Sequence, residues 1–552
     1  MLGGLVRAGV RHVVLSPGSR SQALALVAAE LEARGLVRLH VRIDERVAGF
    51  TALGIGRETG IPAAVICTSG TAVANLLPAA LEAHHAGVPL LLLTGDRPPE
   101  LRGIGANQTT RQADLFAGVV RSETDLPVPD ELDPAGTGAQ TVRLGRVAAD
   151  AVAAARGTGG RPAGPVHLNV PAREPLAGRI PSWLVASAPG DVGEADGSDP
   201  GAGEPHVLAR GPRTIVVAGA DAGPAAEELA HEGAWPLVAE VVSGARFGRA
   251  LVHGYRTVLR ALGPAVQRVV VFGHPTLSRE TTALLSRADV EVIAVQGPGE
   301  RLDLNGATRS VARVRVEPGE PDAAWRAEWL RASRDAAVDV SPPAPDAAGL
   351  ASAVPHERLG AIQAELEVIR APVDRAALAD AVWRATWPHD RLVFGSSRLV
   401  RVADEVVGGK RIPVHANRGL AGIDGTIATA AGIALASQAA GAAGVTRVLL
   451  GDLAFLHDVG ALLLPPEEAE SRIQVIVGND GGGTIFDQLE VAGVADAAAH
   501  ARVQYTPQAV DLAALAAAYG WAYRRVTTRT ELDQVLTAPH PGRSLIEVPL
   551  PR

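Results

Sequence analysis

Short apolar runs rich in β-branched residues alternate with helical patterns along three stretches of this chain, and this alternation limits the folds that it can adopt. In the first stretch the runs lie at 11–15, 39–43, 63–68, 89–94 and 164–170, with amphipathic segments between them. Strands that alternate with helices form a parallel sheet covered by helices on both faces. The pattern therefore predicts a doubly wound α/β domain at the start of the chain.

The same alternation returns in two further units. In the second unit the strand patterns lie at 214–218, 237–242, 268–272 and 291–295. The third unit opens with a helix pattern at 374–387, and its strand patterns lie at 391–394, 411–415, 445–450, 472–477 and 544–548. Two Pro-rich stretches without periodicity, 188–212 and 339–355, separate the units. We therefore predict an α/β protein with three doubly wound parallel-sheet domains in series: 1–185, 205–338 and 360–552.

Length and composition agree with this layout and argue against several classes of protein. A chain of 552 residues suits about three domains. Its net charge of −8 and aromatic fraction of 3% predict no nucleic-acid surface. No apolar stretch is long enough to span a bilayer, and the N-terminus carries no signal-peptide pattern, so we expect no membrane partner and a cytoplasmic location. Cys67 is the only cysteine, so no intrachain disulfide can form.

Acidic residues and glycines follow two consecutive strand patterns of the third unit. Asp452 comes directly after the run 445–450, and Asp480 stands 480 − 452 = 28 residues later, followed by three glycines. Loops at the carboxyl ends of adjacent parallel strands are where a doubly wound sheet binds ligands. Asp452, Asp480 and the carbonyl of Gly482 offer the oxygen ligands that a hard cation prefers, and glycines let a diphosphate approach the backbone. Taken alone, two ordinary strand-to-helix turns would also explain these residues.

The spacing of these two loops resembles the diphosphate–Mg²⁺ motif of thiamine-diphosphate enzymes. Such enzymes need a carboxylic acid hydrogen-bonded to N1′ of the cofactor's pyrimidine, because that contact promotes removal of the C2 proton. Glu45, between a strand pattern and a helix pattern of the first unit, is the candidate. An acid at a helix start is also favoured by the helix dipole, so the assignment of Glu45 depends on the diphosphate motif.

A series of short segments runs in order along nearly the whole chain. These segments are Ser16-Pro-Gly-Ser-Arg-Ser21, Asp44-Glu-Arg46, Cys67-Thr-Ser-Gly-Thr-Ala-Val-Ala-Asn75, Asp96-Arg-Pro-Pro-Glu-Leu101, Gly105-Ala-Asn-Gln108, His167-Leu-Asn169, Arg173-Glu-Pro-Leu176, Asn417-Arg-Gly-Leu-Ala-Gly-Ile-Asp-Gly425, Gly451-Asp-Leu453 and Asn479-Asp-Gly-Gly-Gly483. Together they resemble the 2-succinyl-5-enolpyruvyl-6-hydroxy-3-cyclohexene-1-carboxylate (SEPHCHC) synthase family of menaquinone biosynthesis. The segments Ser16–Ser21 and Asn417–Gly425 distinguish this family from acetolactate synthases and pyruvate decarboxylases.

The resemblance implies a fold, a reaction and an assembly. The fold is a pyrimidine-binding domain, a central domain without cofactor and a diphosphate-binding domain. The cofactors are thiamine diphosphate and Mg²⁺ or Mn²⁺. The reaction joins 2-oxoglutarate, after loss of CO₂, to isochorismate by a 1,4-addition. The cofactor lies between the first domain of one chain and the third domain of another, so a homodimer is the smallest active unit and a tetramer is common in the family.

The resemblance also implies site residues. Those implied to contact the cofactor are Glu45, Gln108, Ile423, Asp452, Asp480, Gly482, Ile485 and Phe486, with Asp452, Asp480 and Gly482 holding the metal. Ile423 is the implied apolar wedge that bends the cofactor. Those implied to contact the substrates are Ser19, Arg20, Arg97, Asn107, Gln108, Arg279, Ser397, Arg401 and Arg418. Both substrates are dicarboxylates, and the forked donors of arginine suit carboxylates.

The chain departs from the family pattern at a few points. Thr484 stands where the family has a third glycine, which leaves two registers for the metal loop. The two alternatives for the ligands in this loop are Asp480 with Gly482, and Asn479 with Gly481. Counting back from the pair Ile485-Phe486 favours the first alternative. Ser396 replaces the family's usual Asn. The chain begins in the middle of the family's first helix, which indicates a shortened N-terminus or a misassigned start.

Two other functions stay open at this point. The first is another thiamine-diphosphate decarboxylase or carboligase, acting on pyruvate or a related 2-oxo acid. The number of arginines at motif positions argues against it, because one small monocarboxylate does not need so many cations. The second is a non-catalytic binding protein with the same fold. Retention of Glu45, Asp452 and Asp480 argues against that function. The fold alone cannot decide between these functions.

Overall fold

Three parallel sheets follow one another along the chain, each with helices on both faces. A computed structural model describes residues 1–129, 138–157, 161–180, 204–468, 470–539 and 542–552. The strands are numbered in chain order, with the bounds given below for each domain. They pair in the orders β2-β1-β3-β4-β6-β5, β12-β11-β10-β8-β9 and β15-β14-β16-β17-β19-β18, and a separate pair joins β13 to β7. The predicted fold class is confirmed. The predicted boundaries 1–185, 205–338 and 360–552 stay a prediction.

The elements of the first domain are α1 (Leu2–Arg7), β1 (His12–Leu15), α2 (Gln22–Ala33), β2 (Arg38–Val41), α3 (Glu45–Thr59), β3 (Ala63–Cys67), α4 (Thr71–Ala74), α5 (Leu77–Ala86), β4 (Leu90–Asp96), β5 (Ser122–Asp125), α6 (Ala139–Arg156) and β6 (Pro165–Pro171). All its strand pairs are parallel. The central strands β3 and β4 are buried along their whole length, as apolar strands between two helical layers should be.

The elements of the central domain are β7 (His206–Leu208), β8 (Thr214–Ala218), α7 (Ala225–Gly233), β9 (Leu237–Ala239), α8 (Tyr255–Leu262), β10 (Arg268–Phe272), α9 (Arg279–Leu285), β11 (Glu291–Val295), β12 (Arg309–Val311), β13 (Val314–Val316) and α10 (Ala323–Ala336). Two helices follow it, α11 (Ala347–Ala351) and α12 (Pro355–Arg370). The predicted linker 339–355 is therefore partly helical. Most of the other predicted linker, 188–212, lies outside the described residues.

The elements of the third domain are α13 (Arg375–Ala385), β14 (Arg391–Phe394), α14 (Arg398–Val406), β15 (Val414–Ala416), α15 (Thr426–Ala439), β16 (Thr446–Gly451), α16 (Asp452–His457), β17 (Ile473–Asn479), α17 (Val491–Val494), α18 (Ala497–His500), α19 (Leu512–Ala518), β18 (Ala522–Arg525), α20 (Arg529–Thr537) and β19 (Arg543–Pro549). The sequence patterns missed the short strands β7, β12 and β13 of the central domain, and they also missed β5 and β18. Both are edge strands with mostly polar residues, which lack the apolar run of a central strand.

Helices α3 and α15 pack closely, and this contact joins the first and third domains in one hydrophobic core. Two glycines permit the close approach. A Cβ atom at Gly54 would lie 2.0 Å from the carbonyl oxygen of Thr429, and one at Gly432 would lie 2.0 Å from that of Thr51. Any larger residue would push the helices apart, so these two glycines fix how the two domains meet.

Candidate active site

A buried carboxylate, Asp452, and a half-buried one, Asp480, lie at the carboxyl edge of the third sheet. Asp452 begins α16 directly after β16, and Asp480 follows β17, which pairs with β16 in parallel register. Asp452 is only 5% exposed. Burial and the nearby charge of Asp480 raise the pKa of Asp452 to about 6, although the backbone N–H of Gly481 donates a hydrogen bond to it. The arrangement concentrates negative charge where a divalent cation would neutralise it.

The side chains around Asp480 fix its orientation. Oδ2 of Asp480 accepts a hydrogen bond from Nη2 of Arg375 at 2.8 Å and another from the hydroxyl of Thr484. The hydroxyl of Tyr505 donates to the carbonyl oxygen of Asp480 at 2.9 Å. Partners of this kind orient metal ligands in proteins. Neither Arg375 nor Tyr505 was predicted as a site residue, since no motif marks them.

The neighbouring Asn479 is committed to other contacts. Its Nδ2 donates to Oε1 of Glu547 at 2.8 Å, and its Oδ1 accepts from the N–H of Gly481 at 3.2 Å. The carbonyl of Gly482 accepts from the N–H of Thr484 at 2.9 Å, which leaves a second lone pair on that oxygen. Both polar atoms of the Asn479 side chain therefore have partners, whereas the carbonyl oxygen of Gly482 can still accept another contact.

Glycines bring the loop backbone against Tyr505. Gly481 has φ +78°, a conformation that favours glycine. A Cβ atom at Gly482 would lie 2.3 Å from the carbonyl oxygen of Tyr505. The loop then turns through Ile485 and Phe486, which are both half-buried. Ile423, in the loop before α15, is 39% exposed, so all three apolar side chains keep surface that a cofactor could cover.

Glu45 lies at the start of α3, in the first domain. Asp44 caps this helix by accepting from the N–H of Arg46 at 2.8 Å. Glu45 itself accepts from Nδ2 of Asn75 at 3.4 Å. Arg46 donates to the carbonyl oxygen of His457 at 2.9 Å, so the start of α3 touches the end of α16.

Within one chain, Glu45 and the Asp452–Asp480 pair are at different ends of α16. Asp452 begins this helix and His457 ends it, which corresponds to about 9 Å of helix at 1.5 Å per residue. No hydrogen bond or ion pair among the described residues joins Glu45 to either aspartate. A single chain therefore does not bring these predicted site residues into contact.

A polar cluster lies at the carboxyl edge of the first sheet. Arg97 is 7% exposed and donates to the hydroxyl of Ser69. The hydroxyl of Ser69 in turn donates to the carbonyl oxygen of Gln108 at 3.0 Å, and Nε2 of Gln108 donates to the carbonyl oxygen of Ser69 at 2.9 Å. Burial and the charge of Arg20 lower the pKa of Arg97, which indicates two guanidinium groups close together. Ser19 begins the turn that contains Arg20.

The other two predicted residues of this region fit the cluster differently. Asn107 is exposed, and its side chain lies on the surface beside Gln108. Arg20 donates to the carbonyl oxygen of Ala172 at 3.1 Å and is 9% exposed. Ser69 was not predicted as a site residue, although it lies within a motif segment.

A second cationic cluster surrounds a cavity of about 310 Å³ between the central and third domains. Its arginines are Arg256, Arg260, Arg279, Arg398 and Arg401. Burial, and the charges of Arg256 and Arg279, lower the pKa of Arg401. In the described part of the chain, Arg398 and Arg401 form no ion pair. Glu280 and Glu405 also line the cavity, and Glu280 pairs with Arg260, so Arg398 and Arg401 are the cations that remain for an anion.

Arg418 and Ser397 adjoin this cavity. Burial lowers the pKa of Arg418, and the charge of Arg401 contributes to the shift. Ser397 caps α14 by accepting from the N–H of Leu399 at 3.3 Å. A Cβ atom at Gly451 would lie 3.5 Å from that of Ser397, so the start of α14 stands beside the strand end that carries Asp452.

Comparison with known proteins places the chain in a family. Residues 1–116 match the thiamine pyrophosphate enzyme N-terminal TPP binding domain, and residues 410–548 match the C-terminal TPP binding domain. A protein named 2-succinyl-5-enolpyruvyl-6-hydroxy-3-cyclohexene-1-carboxylate synthase, from Leifsonia xyli subsp. xyli (strain CTCB07), is 55% identical over 573 residues, which cover 100% of this chain and 95% of that protein. This chain belongs to the SEPHCHC synthase family.

Further members of the SEPHCHC synthase family match over a similar length. The one from Clavibacter michiganensis subsp. michiganensis (strain NCPPB 382) is 54% identical, covering 100% of this chain and 95% of that protein. The one from Mycobacterium avium (strain 104) is 38% identical, covering 99% and 94%. The family predicted from the motifs is thereby confirmed, as is a thiamine-diphosphate-dependent enzyme of this type.

A solved structure shares the architecture of this SEPHCHC synthase family member. Benzoylformate decarboxylase from Polynucleobacter necessarius superposes with a TM-score of 0.66 at 15% identity, covering 100% of this chain and 97% of that one. At this identity the likeness concerns the fold alone. Among the described residues, no helix is both long and apolar enough to cross a membrane.

The structure groups the predicted site residues of this family member into separate sets. One set lies in the first domain: Ser19, Arg20, Glu45, Arg97, Asn107 and Gln108. The other lies in the central and third domains: Arg279, Ser397, Arg401, Arg418, Ile423, Asp452, Asp480, Gly482, Ile485 and Phe486. No described hydrogen bond joins the two sets. Sequence reasoning missed Thr276 and Arg398, which lie close in sequence to the predicted residues Arg279 and Ser397, and it missed Arg256, which lies on α8.

Proposed function

We propose that this chain decarboxylates 2-oxoglutarate and adds the resulting four-carbon unit to isochorismate by a 1,4-addition, giving SEPHCHC and CO₂ in menaquinone biosynthesis. The observation that carries the proposal is the arginine-lined cavity beside the Asp480 loop. The family name supports it, because the product that it describes contains a succinyl group and a cyclohexene carboxylate. Several carboxylates in one partly buried site require several fixed cations.

Three residues are proposed to hold the metal and the diphosphate. Asp452 and Asp480 would each give a carboxylate oxygen, and Gly482 would give its carbonyl oxygen, to Mg²⁺ or Mn²⁺. These hard oxygen donors fit such a cation, with phosphate oxygens completing its coordination. The contacts of Asn479 with Glu547 and Gly481 support this register over Asn479 with Gly481, because both polar atoms of the Asn479 side chain have partners. The described contacts of the Asp480 side chain use Oδ2 alone.

Glu45 is proposed to hold a proton at N1′ of the cofactor's pyrimidine. Thiamine diphosphate, when bound, supplies the electron sink for loss of CO₂ from a 2-oxo acid and for transfer of the remaining acyl unit. Glu45 would share its proton with N1′, Gln108 would contact the cofactor, and Ile423, Ile485 and Phe486 would cover its apolar surface. These contacts orient the reactive carbon and exclude water from it.

We infer a dimer from the family resemblance, which implies a cofactor between the first domain of one chain and the third domain of another. A second copy would contribute Glu45, Ser19, Arg20, Arg97, Asn107 and Gln108 to the site that holds Asp452 and Asp480. Each site would then be complete only at an interface between chains. The two substrates would be held by arginines from both chains, with Arg279, Ser397, Arg401 and Arg418 on the side of the metal.

A comparison of donor acids tests the proposed substrate class. Pyruvate lacks the distal carboxylate of 2-oxoglutarate, so it would leave a guanidinium unpaired. A hydrogen bond to a charged group contributes about 1.5–3 kcal/mol, or about ten- to a hundredfold in rate. Arg401→Ala and Arg418→Ala should lower kcat/KM for 2-oxoglutarate or isochorismate by a similar factor and leave thiamine diphosphate affinity unchanged.

An exposed arginine provides the matched control for these substitutions. Arg334 lies on the exposed face of α10 and outside the cavity, so Arg334→Ala should leave kcat/KM for both substrates unchanged. Equal use of pyruvate and 2-oxoglutarate by the parent enzyme would contradict the proposal. So would Arg401→Ala and Arg418→Ala variants that both resemble the Arg334→Ala control.

A further inference from the structure

The guanidinium of Arg418 is held by a segment of the central domain. Its Nε donates to the hydroxyl of Thr276 at 2.9 Å, and its Nη2 donates to the carbonyl oxygen of the same residue at 3.3 Å. Its Nη1 donates to the hydroxyl of Ser396 at 3.3 Å. A guanidinium has five N–H donors, so these three contacts leave two donors. One of these is on Nη1 and the other on Nη2, and guanidinium donors of this kind form charge-assisted hydrogen bonds with carboxylates.

Thr276 is itself held by a buried carboxylate. Glu240 is 1% exposed and follows β9. It accepts hydrogen bonds from the backbone N–H of Thr276 at 2.9 Å and of Leu277 at 2.7 Å. Removing an acceptor from buried N–H groups is costly, so Glu240 fixes the backbone that presents the Thr276 hydroxyl to Arg418.

The backbone after Arg418 is held by a different domain. Glu82, on α5 of the first domain, is 3% exposed. Its Oε1 accepts from the N–H of Gly419 at 2.9 Å, and its Oε2 accepts from the N–H of Leu420 at 2.8 Å. A buried carboxylate of the central domain therefore holds the segment that contacts the Arg418 side chain, and a buried carboxylate of the first domain holds the backbone that follows Arg418.

We propose that Glu240, acting through Thr276, and Glu82 are positioning residues that hold Arg418 in the orientation that binds a substrate carboxylate. The role of Arg418 in this proposal rests on the proposed function. A long flexible side chain loses conformational entropy when it is ordered by a ligand, and contacts that order it beforehand remove that cost from binding. Thr276 is the link that can be tested alone, because its hydroxyl contacts the guanidinium directly.

Substitutions at Thr276 separate positioning from stability. Thr276→Val keeps the shape of the side chain but removes the hydroxyl that accepts from Arg418, whereas Thr276→Ser keeps the hydroxyl. We expect Thr276→Val to raise KM about tenfold for the substrate that Arg418 binds, the low end for a hydrogen bond to a charged group. Thr276→Ser should restore most of that loss. The unfolding temperature and the thiamine diphosphate affinity, measured by calorimetry, should match the parent in both variants.

A double-mutant cycle with Arg418→Ala decides whether Thr276 acts through Arg418. If it does, Thr276→Val should raise KM no further in an Arg418→Ala background. An additive effect, or an unchanged KM for Thr276→Val in the parent, would contradict the positioning role and leave the proposed function standing. An Arg418→Ala variant with both KM values unchanged would contradict the substrate role of Arg418 and the positioning role with it.

Substitutions of Glu240 and Glu82 extend the test to the Thr276 segment and to the backbone that follows Arg418. Glu82→Gln keeps one acceptor oxygen for two N–H groups, so it should raise the same KM as Thr276→Val. Glu240→Gln keeps one oxygen that can accept from both N–H groups, so it should leave KM near the parent value. Glu240→Ala removes that oxygen and should raise the same KM if the variant folds, and Thr276→Val decides the matter if it does not. A Glu82→Gln variant that changes the unfolding temperature but not KM would show a purely structural role and would overturn the proposal for Glu82.

Discussion

Asp452 and Asp480 lie at the ends of neighbouring parallel strands, where the charge of Asp480, together with burial, raises the pKa of Asp452 to about 6. The two carboxylates are costly to hold together without a cation. A bound Mg²⁺ would remove this cost, and the diphosphate of the cofactor would bind the same ion. The repulsion between them therefore favours binding of a cation at this edge.

Removing one of these carboxylates should weaken cofactor binding. Asp452→Ala would take away one oxygen ligand and leave the diphosphate charge poorly neutralised. We expect a loss of thiamine diphosphate affinity in calorimetric titrations with Mg²⁺ of at least about tenfold, the ratio given by 1.4 kcal/mol. Asp335→Asn, on the exposed face of α10, is a control that should bind normally. An Asp452→Ala protein with parental affinity would exclude Asp452 as a ligand.

Substitution of Glu45 should affect proton transfer more than binding. Glu45→Gln keeps the shape of the side chain but cannot share a proton with N1′ in the same way. Exchange of the cofactor's C2 proton should slow by at least ~10²-fold, the low end for a positioned acid–base group, while cofactor affinity falls less. NMR-monitored deuterium exchange of the bound cofactor measures this rate. Parental exchange in the variant would rule out this role.

Mixing two inactive variants tests the interfacial site. Glu45→Gln and Asp452→Ala damage residues that we propose to meet only between chains. After subunit exchange, mixed dimers should contain one site with both parental residues, so part of the activity should return. Mass spectrometry of the intact dimers provides the control for exchange. Mixed dimers without recovered activity would show that the two residues do not belong to one site in different chains.

The buried Asp458 should make stability depend on pH. Burial raises its pKa to about 7 from 3.8, with Asp424 contributing, while hydrogen bonds from the N–H groups of Ala428 and Ile427 oppose the shift. The folded chain therefore binds this proton more tightly than the unfolded chain. The resulting stabilisation is complete below the unfolded pKa and is lost as pH rises through about 7.

Asp458→Asn isolates this contribution. The amide keeps an acceptor oxygen for the start of α15 but cannot ionise. The free energy of unfolding of Asp458→Asn, relative to the parent, should therefore increase between about pH 5 and pH 8, because only the parent loses stability as Asp458 ionises. Denaturant unfolding at several pH values measures the difference. A difference that does not change with pH would contradict the raised pKa of Asp458.

The sequence patterns predicted the fold better than the contacts between its domains. The central strands β3, β10 and β16 are buried along nearly their whole length and mostly apolar, because both faces of their sheets are covered, and this leaves a clear pattern. The edge strands β5 and β18 have exposed polar residues and therefore leave no apolar pattern in the sequence. The alternating order then sufficed to predict three parallel sheets.

The candidate site was predictable where function requires particular residues in a short segment. Asp452 and Asp480 directly follow strands and Glu45 begins α3, and motif spacing identifies all three as candidates. The contacts of Arg375 with Asp480 and of Glu82 with Gly419 join residues 105 and 337 positions apart. Pairings at such distances depend on how domains pack, and neither periodicity nor a local motif encodes them.

The most direct test of this account is to incubate the chain with thiamine diphosphate, Mg²⁺, 2-oxoglutarate and isochorismate and to identify the product by mass spectrometry. We predict that isochorismate absorbance falls, that CO₂ is released, and that the product has the combined mass of the two substrates less one CO₂. Pyruvate and 2-oxobutyrate should give little product in parallel reactions. Unconsumed isochorismate, or a product of equal yield from pyruvate, would show that the chain is a different carboligase.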